Sequence, residues 1–359
     1  MKTLSFCRLA LWFLLPVAAV GAWDFEGHRI INQLALAALP EDFPVLLPSR
    51  MSETGAGERI VWLSGEADRW RSATEPPTRH INSPDHFLDL EELGFAGLTP
   101  AAVSAFRYEF VGQYIRGRAA NPERFPAIDP KKDPDHTRAW SGFLPWAITE
   151  YFGKLHANFG RLKVYEEFGF SADAAQTRAS IVELMGTMGH FVGDGTQPLH
   201  TTLHYNGWVG DNPHGYTTAR TIHQWIDGGF IRAAGINLDD LLPRVRPAQV
   251  IPLASTPGGR DPFFNSAMDY LQMQNALVEP LYLLEKEGKL KADGSPHSFE
   301  GRSFIEGQLL TGGEMLARIW VTAWRTAVPD AYLREELQQK GGFSDAKPLG
   351  APGSPAQLP

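Results

Sequence analysis

Apolar residues recur at three- and four-residue intervals through most of the chain, the period of a helix with one buried face. Ile30, Ile31, Leu34, Ala35 and Ala38 form the first such stripe, and Ile60, Leu63, Ala67 and Trp70 the next. The same spacing predicts helices over 101–116, 142–162, 172–193, 218–234, 266–290 and 304–327. No stretch alternates with a two-residue period between hairpin turns, and no internal repeat is present. The pattern therefore predicts an all-α domain of about seven to nine helices. Proline and glycine collect in the connections at 75–77, 121–135, 206–216 and 242–262. Trp140, Trp146, Tyr151, Phe152 and Phe159 sit at helical spacings and are expected in the core, with one end of the stripe available to edge a cleft.

The two ends follow different rules. Lys2 and Arg8 precede an apolar run over 9–20, which is followed by small residues up to Ala22. That is the pattern of a secretory signal peptide over 1–22 with cleavage before Trp23, and the run is shorter than the roughly 20 residues of a transmembrane anchor. The mature protein is then expected to be secreted or periplasmic. Gly, Pro, Ala and Ser dominate 341–359, which is expected to be a disordered tail. The folded domain should span 23–335. Cys7 is the only cysteine, so an exported chain has no disulfide to staple it. The 359-residue chain has a net charge of −8, and losing Lys2 and Arg8 with the leader makes it −10. A broad basic nucleic-acid grip is excluded.

Candidate chemistry is concentrated in His190-Phe-Val-Gly-Asp194-Gly-Thr-Gln-Pro198-Leu-His200. His190 and Asp194 are four apart, one above the other on a helix face, and Pro198 ends the helix so that His200 can turn back. His223 and Asp227 repeat the spacing. Imidazole and carboxylate in this mixture suit zinc, with no thiolate available. The front of the chain adds His28, Asp68 with Arg71 three residues on, and His86-Phe87-Leu88-Asp89. Cleavage before Trp23 would add an α-amino group, whose pKa of about 7.7–8.0 lets it bind metal near neutrality.

Taken in order, Trp-x4-His, Ala-Asp-x-x-Arg, His-Phe-x-Asp, His-Phe-x-Gly-Asp-x-x-Gln-Pro-Leu-His and His-x3-Asp resemble the S1/P1 nuclease family, secreted single-strand-specific zinc nucleases within the phospholipase C/P1 nuclease superfamily. The resemblance spans Trp23 to Asp227. It implies a single multi-helix domain whose active-site cleft holds three zinc ions (Zn2+). Asp68, His86, His190 and Asp194 would hold one ion, and His200, His223 and Asp227 a second. The third would take the amino nitrogen and carbonyl oxygen of Trp23, His28, and the other oxygen of Asp194. Asp68 would also orient the attacking water and Arg71 would stabilise phosphoryl charge, while Phe87 and Asp89 match positions that contact a base. Three divalent ions against the three carboxylates leave a local charge of about +3, which attracts a phosphodiester despite the acidic surface.

The expected activity is hydrolysis of phosphodiester bonds in single-stranded DNA or RNA by a monomer without a membrane anchor. Several residues depart from the fungal members: Thr196 replaces a frequent His, and the loop 205–216 differs. Tyr205 and Trp208, with Phe87 and Tyr216, are candidate substrate contacts that would stack on bases or face a choline-like head group. A zinc-dependent phospholipase C-type hydrolase is therefore the alternative, and a non-catalytic secreted zinc-binding protein the second. His204 and His214 flank the ligand segment; His80, His136, His156 and His297 are expected to be solvated or hydrogen-bonded. No His-Glu-x-x-His is present, which argues against a metalloprotease.

Overall fold

A computed structural model describes residues 23–44, 55–255 and 258–339. The expected signal peptide over 1–22 and the tail over 341–359 lie outside the described residues. In chain order the α-helices are α1 (Phe25–Ala37), α2 (Ala56–Leu63), α3 (Glu66–Arg71), α4 (Pro76–Asn82), α5 (Leu90–Phe95), α6 (Arg107–Ala120), α7 (Leu144–Glu167) and α8 (Ser171–Thr196). They continue with α9 (Ile222–Gln224), α10 (Phe230–Ala233), α11 (Leu238–Leu241), α12 (Pro262–Asn275), α13 (Val278–Lys286), α14 (Phe299–Thr326) and α15 (Ala331–Gln339). Extended pairing among the described residues is limited to the isolated bridges Leu88–Gly142 and Tyr205–Gly207. The architecture is all-α, and no described helix is long and apolar enough to cross a membrane.

Segments outnumber the expected seven to nine because short helices and 3-10 turns carry the loops. The helix expected over 101–116 starts only at Arg107, because Ser104 accepts from the Phe106 amide (3.1 Å) and donates to Glu109 (2.7 Å), forming a turn where a helix would need its own ladder. The 266–290 stripe divides into α12 and α13 at Ala276–Leu277, and the 218–234 stripe begins helical only at Ile222.

Helix α8 is the axis, packed against α1, α2, α7, α12 and α14. Every residue from Met185 to Thr196 is buried, polar ones included. The close approach of α1 depends on absent side chains: a Cβ at Gly189 would overlap the Asn32 amide, and one at Gly193 would lie 2.7 Å from His28 Nδ1. Asn32 in turn donates to the carbonyls of Ile60 (2.9 Å) and Gly186 (3.2 Å), tying α1, α2 and α8 together inside the core. Trp146 and Phe159 take core positions as their spacing predicts, and Phe152 stacks on Phe263 at 3.7 Å.

The tight crossing sets an expected outcome in urea unfolding. Gly189→Ala should cost about 1–3 kcal/mol through overpacking against Asn32. Gly153→Ala, at an exposed position of α7 with nothing near its added carbon, should gain about 0.5–1 kcal/mol by restricting the unfolded chain.

Candidate metal centre

The histidines and aspartates singled out as ligands are delivered by several local devices. His28 faces inward from α1, and Asp68 projects from α3, whose Ala67 is buried in the core. His86 ends the 3-10 turn Ser83–His86, which Pro84 starts. His190 and Asp194 lie one turn apart on α8. The helix stops at Thr196 because Gln197 is extended before Pro198, and the 3-10 turn Pro198–Thr201 brings His200 back. His223 and Asp227 were expected on an ordinary α-helix, but a π-turn over Trp225–Gly229 separates α9 from α10. Within that turn Gly228 leaves room for the Asp24 carboxylate, which occupies the place a side chain would take.

The donors converge as three groups whose ligand atoms lie within 4.8 Å of one another: His28, His190 and Asp194; Asp68, His86 and His190; and His200, His223 and Asp227. The two oxygens of Asp194 face different groups. Its Oδ2 is 2.9 Å from His86 Nδ1 and 3.4 Å from His190 Nε2, while Oδ1 is 3.4 Å from His28 Nε2. Asp68 Oδ1 lies 3.7 Å from His190 Nε2 and 4.0 Å from His86 Nδ1. His200 Nε2 and His223 Nε2 are 3.1 Å apart, and Asp227 Oδ2 is 2.9 Å from the latter.

Backbone carbonyls orient the rings. His190 Nδ1 faces the Ser64 carbonyl (2.7 Å), His200 Nδ1 that of His86 (2.7 Å), and His223 Nδ1 that of Tyr205 (3.1 Å). A neutral ring that donates from Nδ1 leaves a lone pair at Nε2, so the two Nε2 atoms at 3.1 Å confront each other with lone pairs. A cation between them removes that repulsion. Gln197 holds the far oxygen of Asp227 by a 2.7 Å hydrogen bond. Such supports keep ligands aimed before metal arrives.

Burial makes the metal-free arrangement costly. Both nitrogens of His28, Asp68 Oδ1, Asp194 Oδ1 and Asp227 Oδ2 are buried without a hydrogen-bond partner. Desolvation pushes the Asp194 carboxyl well above the usual carboxylate range, with the negative charge of Asp68 adding to the effect. Burial also raises Asp227, against the opposing pull of His223 and Gln197. His28, His86 and His200 are driven well below the ordinary 6.5, first by desolvation and then by neighbouring imidazoles and the Arg71 guanidinium. Neutral imidazoles beside orphaned carboxylate oxygens fit divalent metal ions, and the described residues contain no competing thiolate.

Arg71 Nε stands 3.9 Å from Asp68 Oδ1, and these two side chains are 23% and 25% exposed, against 0% for His28, His86, His190 and Asp194. The cluster therefore meets solvent at Asp68 and Arg71. Trp23 is fully buried, its indole donating to Thr196 Oγ1 (3.0 Å), and the Asp24 amide donates to the Asp227 carbonyl (2.9 Å). Residue 23 is thus pinned beside the ligand-bearing turns, and Thr196 is its socket.

The expected substrate contacts are less uniform. Phe87 is half-buried, its carbonyl so close to Gly142, at φ +100°, that no side chain fits there. Asp89 is half-buried, and desolvation with Glu92 and Glu91 nearby raises its carboxyl well above the ordinary value. Tyr205 is exposed and edge-on to His223 at 5.7 Å. Trp208 has one face covered by His204 at 3.9 Å and its indole N–H on the Asp211 carbonyl (2.8 Å), so it also packs the loop. His204 accepts from the Val209 amide (3.1 Å), and the His214 carbonyl accepts from Lys286. Both histidines serve that loop. Gln197 and the Ser64 carbonyl carry supporting roles that no spacing predicted; for Gln197, its place directly before Pro198 was the available signal.

Metal content and pH dependence both follow from this geometry. Asp194→Asn should reduce bound metal by about two ions per chain and Asp227→Asn by about one, read by metal analysis after desalting, because the two oxygens of Asp194 face different groups whereas Asp227 belongs to one. In metal-free protein the depressed imidazoles contribute stability that is present above about pH 6.5 and lost below it, while Asp194 and Asp227 act in the opposite sense. In metal-free protein Asp194→Asn should therefore raise the thermal midpoint by more at about pH 7.5 than at about pH 5.5, because a carboxyl held above its ordinary range costs more stability as pH rises. An equal change at both pH values would show that the buried Asp194 charge carries no such cost.

In comparison with known proteins, no family model, no curated protein and no solved structure matches the chain.

Proposed function

We propose that the protein is a secreted zinc-dependent phosphodiesterase of the S1/P1 nuclease type, hydrolysing single-stranded DNA or RNA. The observation that carries this reading is the convergence of three His/Asp groups around the bridging position of Asp194, with Asp68 and Arg71 at the solvent boundary. A cluster that served only as a structural staple would need no cation at its mouth.

Bound zinc would supply Lewis acidity, drawing a phosphate group in and acidifying a water beside it. The chain's residues do the rest. Asp68 presents Oδ1 with no hydrogen-bond partner at the edge of the cluster, where it can hold the attacking water and accept its proton. Arg71, one helical turn away, offers a planar fork of donors to the phosphoryl oxygens and offsets the charge that develops there. Tyr205, exposed beside His223, is available to stack on a base or a head group. Asp194, His86 and His190 stay dry, so their aim is set by packing rather than by solvent.

Side-by-side assays on single-stranded DNA, RNA and phosphatidylcholine test the reading. Zinc-loaded protein should cleave the nucleic acids, and Arg71→Ala should lower kcat about 100- to 1,000-fold with metal content unchanged. Brisk head-group release from lipid without nucleic-acid cleavage would replace this activity with that of a phospholipase C. Metal binding with no cleavage of any phosphoester would leave only a stapled structural protein.

A further inference from the structure

Helix α3 has a second working face. Glu66 and Trp70, four residues apart, share one side, whereas Asp68 and Arg71 share the side turned to the metal cluster. The exposed Arg69 lies between them on the outer surface. Behind the Glu66–Trp70 face is a cavity of about 320 Å³ between α2, α3, α7 and α8, walled by Trp62, Trp70 and Tyr151 and floored by Leu184 and Thr187. We propose that this cavity accepts a base of the substrate strand, so that a nucleic acid crosses the outer side of α3 with its scissile phosphate at Asp68 and Arg71. The inference rests on the nuclease reading above.

Charge decides the class of ligand. Arg59 is held by Glu183 (2.8 and 3.0 Å) and Arg69 by Glu66 (2.9 and 2.7 Å), while Lys154 pairs with Glu150 (2.7 Å) and lies over the Tyr151 ring at 5.1 Å. Arg59 and Arg69 also lie over Trp62, at 4.8 and 4.0 Å. Every charge at the rim is thus balanced, which favours neither a free anion nor a free cation. What remains open is an aromatic slot for an uncharged flat ring, with carboxylate oxygens nearby to accept from exocyclic amines. Trp62 already carries two guanidinium groups and Tyr151 an ammonium, so Trp70 is the ring of the cavity left to stack on. Trp70 and Asp68 stand on different sides of α3, and a helix with its side chains is ~10 Å across, which a strand of a few nucleotides spans. Tyr151 also touches Phe191 at 5.3 Å, and Phe191 touches His86 at 5.6 Å, so both sites are built on the same rigid part of α8.

Steady-state kinetics of the zinc-loaded enzyme on single-stranded oligonucleotides of increasing length provide the test. Wild-type kcat/KM should rise with length as the strand reaches the cavity. Leu184→Phe, which fills the slot from α8, and Trp70→Ala should each lower kcat/KM on long strands about ten-fold while leaving the dinucleotide rate and metal content within about two-fold. Trp70→Phe should restore most of the loss. An unchanged length dependence in Leu184→Phe would overturn the subsite and leave the nuclease assignment standing. If no oligonucleotide is cleaved at all, the activity falls, and the subsite is then decided by binding: quenching of tryptophan fluorescence by an oligothymidylate, abolished by Leu184→Phe, supports it, and absence of quenching overturns it.

Discussion

Five imidazoles and three carboxylates gathered under the surface of a helical bundle create an electrostatic problem that governs the rest of the molecule. Isolated buried carboxylates are expensive, and a buried polar atom without a partner costs about 1–3 kcal/mol. Here Asp194 and Asp227 are almost completely enclosed, and several of the cluster's oxygens and nitrogens have no hydrogen bond. Cations resolve the difficulty by serving carboxylates and imidazoles at once. The same ions would act as the cross-links that a chain with a single cysteine cannot form from sulfur.

The fold is arranged to hold those donors still. Glycines at 189 and 193 bring α1 against α8 so closely that His28 reaches Asp194, and carbonyls of Ser64, His86 and Tyr205 fix three rings. The carbonyl of His200 accepts from the Leu88 amide (2.9 Å), so the turns bearing His86 and His200 are bonded to each other as well as to the cluster. Helix α3 is the exception to this burial: it is short and half-exposed, and it carries Asp68 and Arg71 where the cluster meets solvent. The substrate chemistry proposed for this protein would fall where a rigid, dry cluster meets water on such an element.

Much of the site is legible in the order of residues along the chain. The i, i+4 spacings at His190–Asp194 and His223–Asp227 predict pairs, and Pro198 predicts the turn that returns His200. Those inferences depend on local geometry alone, which is why the second pair still forms where a π-turn replaces the expected helix. The roles of Gln197 and Thr196 are not legible in the same way. They depend on contacts with Asp227 and Trp23, 30 and 173 residues away, and no local rule specifies a partner at that range. The start of α6 differs from its expected position for a related reason: the apolar spacing continues through 101–106, while a single serine competes for the backbone there.

By itself the amino-acid order determined the helical class, the ligand types and which of them share a turn, because periodicity and short spacings are properties of a few consecutive residues. It also determined that no disulfide would help. Only the folded chain decided which carbonyl would aim each ring, that Asp68 and Arg71 would stand at the opening, and that Trp208 would pack its own loop. Those outcomes depend on how helices cross, and a crossing is set by the missing carbons of Gly189 and Gly193 and by amide-to-carbonyl bonds between distant segments, which act only once the chain is compact.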